Sequence, residues 1–233
     1  ALASAMNAVH IAQQFAQPFS QVLAATYLAT LLEIQADFAT FSAQAEEALR
    51  LALEHRVPYY GNWATILVHF ARAWREPTDL NLKQLGDAIA HFVSTGARVR
   101  LPYFFSLHAR AAAQAGRLDE GLASLEKALE AAQESKEQWW VPAIMRLRGE
   151  NLAQHPKQSA AAAAAYRRAL DLARDLQARS HELRAATSLA RHWHAQGRTQ
   201  AARALLQPLY DVYASDLMIP DLETARALLN EMK

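Results

Sequence analysis

The chain is 233 residues long with a net charge of +1, and its 51 alanines and 32 leucines stand against only 23 valines, isoleucines and threonines together. Strong helix formers so outnumber the β-branched residues that an all-α globular chain is expected, neither sheet nor disordered polymer. No cysteine is present, which excludes a disulfide framework, thiolate chemistry and a Cys-based zinc site, and the longest apolar run, residues 22–32 with Thr26 and Thr30 inside it, is too short to span a bilayer.

In chain order, the sequence reads helical from Ala1 onward. There is no basic segment leading an apolar stretch to a cleavage site, so the start does not read as a signal peptide. It reads as a piece of a larger polypeptide or a processed chain. Pro18, Pro58 and Pro77 punctuate the first hundred residues, since proline is tolerated in a first turn and breaks an interior. A helix is expected over 102–115, ended by Gly116, then another over about 118–135 with Leu118, Leu122, Leu125 and Leu129 on one face. Pro142, Pro156, Gly197 and Pro220 mark later boundaries. Pro208 falls inside an expected helix over 199–213 and should kink it, or split it near Gln207.

These elements repeat. A small residue followed by an aliphatic one recurs as Ala48-Leu49, Ala88-Ile89, Ala128-Leu129 and Ala169-Leu170, at spacings of 40, 40 and 41, and Pro208-Leu209 continues at 39. Gly116-Arg117 and Gly197-Arg198 lie 81 residues apart, two periods. Each period holds two helices. Ala109, Gly121 and Ala128 match Gly149, Ala162 and Ala169, and Ala190 and Ala202 continue the set, with Leu125, Tyr166 and Leu206 filling the neighbouring gap. Small side chains where helices cross let backbones approach. A single hairpin cannot bury its apolar face, so hairpins stack on their neighbours. The expectation is one right-handed α-solenoid of about five to six helix-turn-helix repeats over residues 1–233.

The offsets of the small residues resemble those of tetratricopeptide repeats. Residues 98–233 more closely resemble the C-terminal helical-repeat region of large bacterial regulators that carry a signalling ATPase, linked to a nucleotide cyclase or to a DNA-binding domain of the LuxR or maltose-activator type. The stretches that carry this are Leu101-Pro102-Tyr103-Phe104, Ala115-Gly116-Arg117, Trp139-Trp140, Arg146-Leu147-Arg148-Gly149-Glu150, Tyr166-Arg167-Arg168-Ala169-Leu170, Glu182–Arg191, Gly197-Arg198 and Pro220-Asp221-Leu222. Residues 1–97 look like upstream repeats of the same region. The resemblance implies a cytoplasmic, non-enzymatic sensor whose ATPase or cyclase activity lies elsewhere in a parent polypeptide, and whose partners include that upstream ATPase domain.

Motifs for chemistry are missing. The sequence contains no G-x-x-x-x-G-K-[ST], G-x-G-x-x-G or G-x-S-x-G. His181-Glu182-Leu183-Arg184-Ala185 opens like a zinc-protease helix, but Ala185 stands where the second ligand belongs. His192 and His194 lie roughly 200° apart on a helix and do not chelate together. The carboxylate pairs Glu46-Glu47 and Asp119-Glu120 read as solvated faces. Catalysis, a metal and a cofactor are therefore not expected. Residues 141–203 hold 11 basic and 4 acidic residues, a balance that either attracts an anionic partner or merely reflects solvated arginines. No segment reads as a recognition helix, so direct nucleic-acid binding is not expected.

A curved array of helix pairs lines its concave side with first helices, and repeat arrays of the resembled kind bind there. Register places Thr26 and Thr30 on that side, then Trp63, Phe70 and Trp74, then Tyr103, Ser106 and Arg110. Arg146 and Glu150 come next, and Arg184, Thr187, Arg191 and His194 complete the row. The expected occupant is a peptide, a partner protein or a small anionic ligand, because arginine forks pair with carboxylate or phosphate and aromatics supply apolar area. A free-standing adaptor for protein assembly is the competing reading, and for each residue so is an internal role: aromatics packed between repeats, arginines paired to Glu150 or Glu182. Trp139, Trp140 and Trp193 read as inter-helix core.

Overall fold

A computed structural model describes residues 1–155, 157–214 and 220–233. Among them are twelve α-helices and no strand: α1 (Leu2–Gln14), α2 (Pro18–Ile34), α3 (Phe38–Glu54), α4 (Pro58–Arg75), α5 (Asp79–Ser94), α6 (Leu101–Gln114), α7 (Leu118–Ser135), α8 (Val141–Gln154), α9 (Ser159–Asp175), α10 (Arg179–Ala195), α11 (Thr199–Tyr213) and α12 (Pro220–Glu231), with a 3-10 turn at Gln138–Trp140 before α8. Two compact units divide the chain, Ala1–Arg98 and Val99–Lys233, where the sequence suggests a single array over 1–233.

The proline marks hold. Pro18, Pro58 and Pro220 open α2, α4 and α12, and Pro102 and Pro142 sit in the first turns of α6 and α8. Pro77 precedes α5; the expected break at Pro156 lies outside the described residues. At Pro208 the expectation of a split fails, because α11 runs uninterrupted from Thr199 to Tyr213. Its buried Ala202, Leu206 and Tyr213 hold both sides of the proline against the core, so packing overrides the lost backbone bond.

In the first unit each helix packs on the next, and α2 also packs on α4. Phe41, Trp63, Phe70 and Phe92 are fully buried there, with Val22, Leu67 and Leu85. In the second unit the same order repeats: neighbours in sequence are neighbours in space, and α6, α8, α10 and α12 also touch one after another. The first helix of each pair thus lies against the first helix of the next. The crossings are made by the small residues that the sequence marked. A Cβ on Gly121 would stand 3.2 Å from the Ala109 carbonyl of α6, and one on Gly149 would stand 2.6 Å from the Tyr166 ring of α9. Ala109, Ala128, Ala162, Ala169, Ala190 and Ala202 are completely buried. α12 closes this unit by burying Ala225, Leu228 and Leu229 against α10 and α11.

Candidate ligand-binding surface

The first-helix row is expected from the sequence to face a ligand along its whole length, and in the first unit it mostly does not. Trp63 and Phe70 are inside the core. Thr26 and Thr30 are buried and donate to the carbonyls of Val22 and Thr26 four residues back, at 2.8 and 2.9 Å. Trp74 is half-buried and stacks on Phe38 at 4.9 Å. The groove assignment of Trp63 and Phe70 is therefore corrected. α2 and α4 are apolar on most sides, so the row facing the neighbouring first helix is itself core.

In the second unit the same correction applies to three residues. Tyr103, Ser106 and Thr187 are buried. Ser106 donates to the Tyr103 carbonyl at 2.7 Å and accepts from the Trp140 indole N–H at 2.8 Å, which pins the 3-10 turn to α6. Thr187 donates to the Leu183 carbonyl at 2.8 Å. His194 is half-buried and shares a hydrogen bond of 2.8 Å with Thr199, tying the α10–α11 turn.

The charged members do come together. On α8, Arg146 forms an ion pair with Glu150 one turn on, and Ser188 of α10 donates to the same carboxylate oxygen at 3.4 Å. Arg184 of α10 reaches Asp221 of α12 at 2.7 Å, with both side chains only 19% exposed. Arg191 lies exposed two turns along α10, with no ion pair among the described residues, and Arg110 is half-buried on α6. Arg146 Nε and Asp221 Oδ2 are buried atoms without a hydrogen-bond partner among the described residues. The internal role foreseen for the arginines is real at Arg146, while Glu182 instead takes Arg174 at 2.9 Å and the Tyr213 hydroxyl.

The field of this row is felt by two rings, the half-buried His181 and the buried Tyr166. Burial, then the Arg184 and Arg146 cations, pushes His181 down to about 4 against the opposing Asp221 carboxylate. Burial and the Glu150 carboxylate push the Tyr166 phenol up, while Arg146 and Arg191 oppose. One polar patch therefore runs over α8, α10 and α12, mixed in sign and half-sheltered from water.

No family model matches the chain, and no curated protein matches it. Among solved structures it is similar to the crystal structure of BtubC (BKLC) from P. vanneervenii, at 19% identity and a TM-score of 0.63 over 92% of this chain and 90% of that one. That likeness shows an all-helical fold.

The sequence missed Asp221, His181, Ser188 and Tyr166 as members of the patch, because Asp221 meets Arg184 from 37 positions away and no periodicity reports that distance. Among the expected core tryptophans, Trp140 is buried, whereas Trp139 is 40% exposed and Trp193 is half-buried. One arrangement has the look of a hydrolytic triad: Ser124 Oγ lies 2.9 Å from His108 Nδ1, whose Nε2 is 3.7 Å from Glu120. Ser124 is buried in mid-helix, and the contact ties α6 to α7. Among the described residues no cluster of three or more His, Asp or Glu side chains is placed to hold a metal ion, and no helix is long and apolar enough to cross a membrane.

Proposed function

We propose that this chain is a non-catalytic interaction module, a right-handed tetratricopeptide-like array of about five to six helix pairs. In this reading the second unit recognises an acidic peptide or partner segment along α8 and α10. The observation that carries it is the half-sheltered patch in which Arg146 pairs with Glu150 and Arg184 with Asp221, with the exposed Arg191 two turns beyond Arg184 on α10. Burial strengthens each pairing, and the existing ion pairs preorganise the forks while an incoming carboxylate exchanges for Glu150 or joins Arg191. Repeat arrays present such first-helix rows as recognition surfaces. If the chain regulates a linked ATPase, as its resemblance to the bacterial regulators implies, the ligand must bind two states of the whole protein with different affinity.

Isothermal titration of the full chain with a panel of acidic peptides tests this. Binding should weaken about tenfold in Arg191→Gln and in Arg146→Gln, and less in an exposed control such as Arg168→Gln. Equal affinity in all four proteins, or no saturable binding to any acidic peptide, would remove the assignment.

A further inference from the structure

A second site lies away from the α8–α10 row, at the edge formed by the helix-connecting turns. A pocket of about 470 Å³ is lined by Ser159, Ala160, Ala163 and Arg167 of α9 and by Gln196 and Arg198 of the α10–α11 turn. Its two arginines lie over Trp193, which packs on the apolar clusters of α9 and of α10–α11. The Arg198 guanidinium lies 4.8 Å from the indole centroid and that of Arg167 lies 5.5 Å from it. Both arginines are exposed, and neither has an ion pair among the described residues. Gln196 donates to Ser159 Oγ at 2.5 Å, and His192 lies 3.2 Å from the same hydroxyl, so the polar floor is fixed. Among the described residues no carboxylate lines the pocket.

The equivalent turn two periods earlier shows what is unusual here. Arg117 follows Gly116 as Arg198 follows Gly197, but Arg117 is neutralised by Glu120 at 2.7 Å, and the pocket beside it is lined by Asp119 and Glu120. In the later turn the residue three places after the arginine is Ala201. The carboxylate has gone, a second arginine has been added from α9, and both cations lie over the same indole while lining the same pocket. Two like charges on one ring repel, and a dianion between them would relieve that repulsion while accepting from both forks.

We infer that this pocket binds a small phosphomonoester, its dianionic head between Arg167 and Arg198 and its body against Ala160 and Ala163. The volume falls in the range of small-molecule sites and exceeds what a bare phosphate fills. The pocket shares no residue with the α8–α10 row, so it stands or falls independently of peptide binding there.

Phenyl phosphate is the probe, titrated into the full chain at low salt while the Trp193 indole N–H resonance is followed by NMR and assigned by its loss in Trp193→Phe. A saturable shift of that resonance is expected, absent with phenol and weakened by added salt. Arg167→Gln and Arg198→Gln should each weaken binding about tenfold or more. Ala201→Glu, which restores the carboxylate that Arg117 has, should do the same, and Arg117→Gln should change nothing. All four substitutions lie on exposed or half-exposed positions, and far-UV circular dichroism checks that each stays folded. The assignment is overturned by an unsaturable response in the parent chain, by full binding in Arg167→Gln and Ala201→Glu, or by tighter binding of a phosphotyrosine peptide than of phenyl phosphate, which would take the head group away from a small molecule.

Discussion

At the scale of single residues, His181 has the sharpest consequence. It stands edge-on to Trp140 at 5.4 Å and is faced by Arg146 of α8, its helix-mate Arg184 and Asp221 of α12. Its folded value of about 4 lies below the unfolded 6.5, so between these values the unfolded chain binds the extra proton and stability falls as pH falls. The contribution is complete above about 6.5 and gone below about 4, a loss on the order of 3 kcal/mol. His181→Phe, which keeps a ring against Trp140, should flatten the denaturation-midpoint profile between pH 4 and 6.5; an unchanged profile would place the titration elsewhere. Two glycines make a matched pair. Gly116 has a φ of +74° with open space around a would-be Cβ, whereas Gly149 is helical and abuts the buried Tyr166 ring. Gly116→Ala should cost about 1 kcal/mol of backbone strain, and Gly149→Ala about 1–3 kcal/mol of overpacking despite its better helix propensity. Urea unfolding measures both, and a stabilised Gly149→Ala chain would contradict the close crossing. Gly149 was legible in the sequence by its match to Ala109. The depth of Trp63 and Tyr103 was not, since a helical face in a list of residues carries no sign of how far it is covered.

At the scale of elements, the turns between helices obey a rule that composition hides. Left-handed residues close them at Ala16, Ala36, Arg56, Gly96, Gly116, Lys136, Lys157, Gln177 and Gly197, at steps of 20 or 21 with one double step across the Pro77 turn. The residue after several of them closes the same six-residue bond, Asp37 to Leu32 at 3.0 Å, Val57 to Ala52 at 2.9 Å, Arg117 to Ala112 at 2.8 Å and Ala178 to Ala173 at 2.8 Å, the Schellman arrangement. The forty-residue period is thus two modules of about twenty. Only three of these nine positions are glycine, so punctuation by residue type exposed some boundaries and concealed others, such as Ala36 and Gln177. Within α11, Pro208 withholds a backbone donor without ending the helix, and Pro208→Ala should raise stability by about 1–3 kcal/mol. A lower thermal midpoint in that variant would show that the proline shapes the helix usefully. α12 is joined to α10 by Arg184 and Asp221, and a double-mutant cycle with Arg184→Gln and Asp221→Asn should return a coupling of about 1–3 kcal/mol. Additive effects would mean that apolar contacts alone dock α12.

At the scale of the molecule, each compact unit has its own aromatic or aliphatic core, which is the condition for folding alone. Residues 99–233 expressed separately should be helical and unfold cooperatively. The division at Arg98–Val99 leaves no mark on the repeat itself, whose Ala88-Ile89 and Ala128-Leu129 stand 40 residues apart across it. What the sequence carried well was anything local: helix starts at proline, small residues at crossings, the charge surplus of 141–203. What it could not carry was pairing at a distance, as between Arg184 and Asp221 or between Trp193 and its two arginines. The measurement that bears most directly on the functional claim is backbone NMR of the full chain during titration with the tightest acidic peptide. Perturbed amides should cluster on α8 and α10 around Arg146, Ser188 and Arg191, and need about tenfold more peptide to reach the same shift in Arg191→Gln. Shifts that avoid both helices would contradict the proposal.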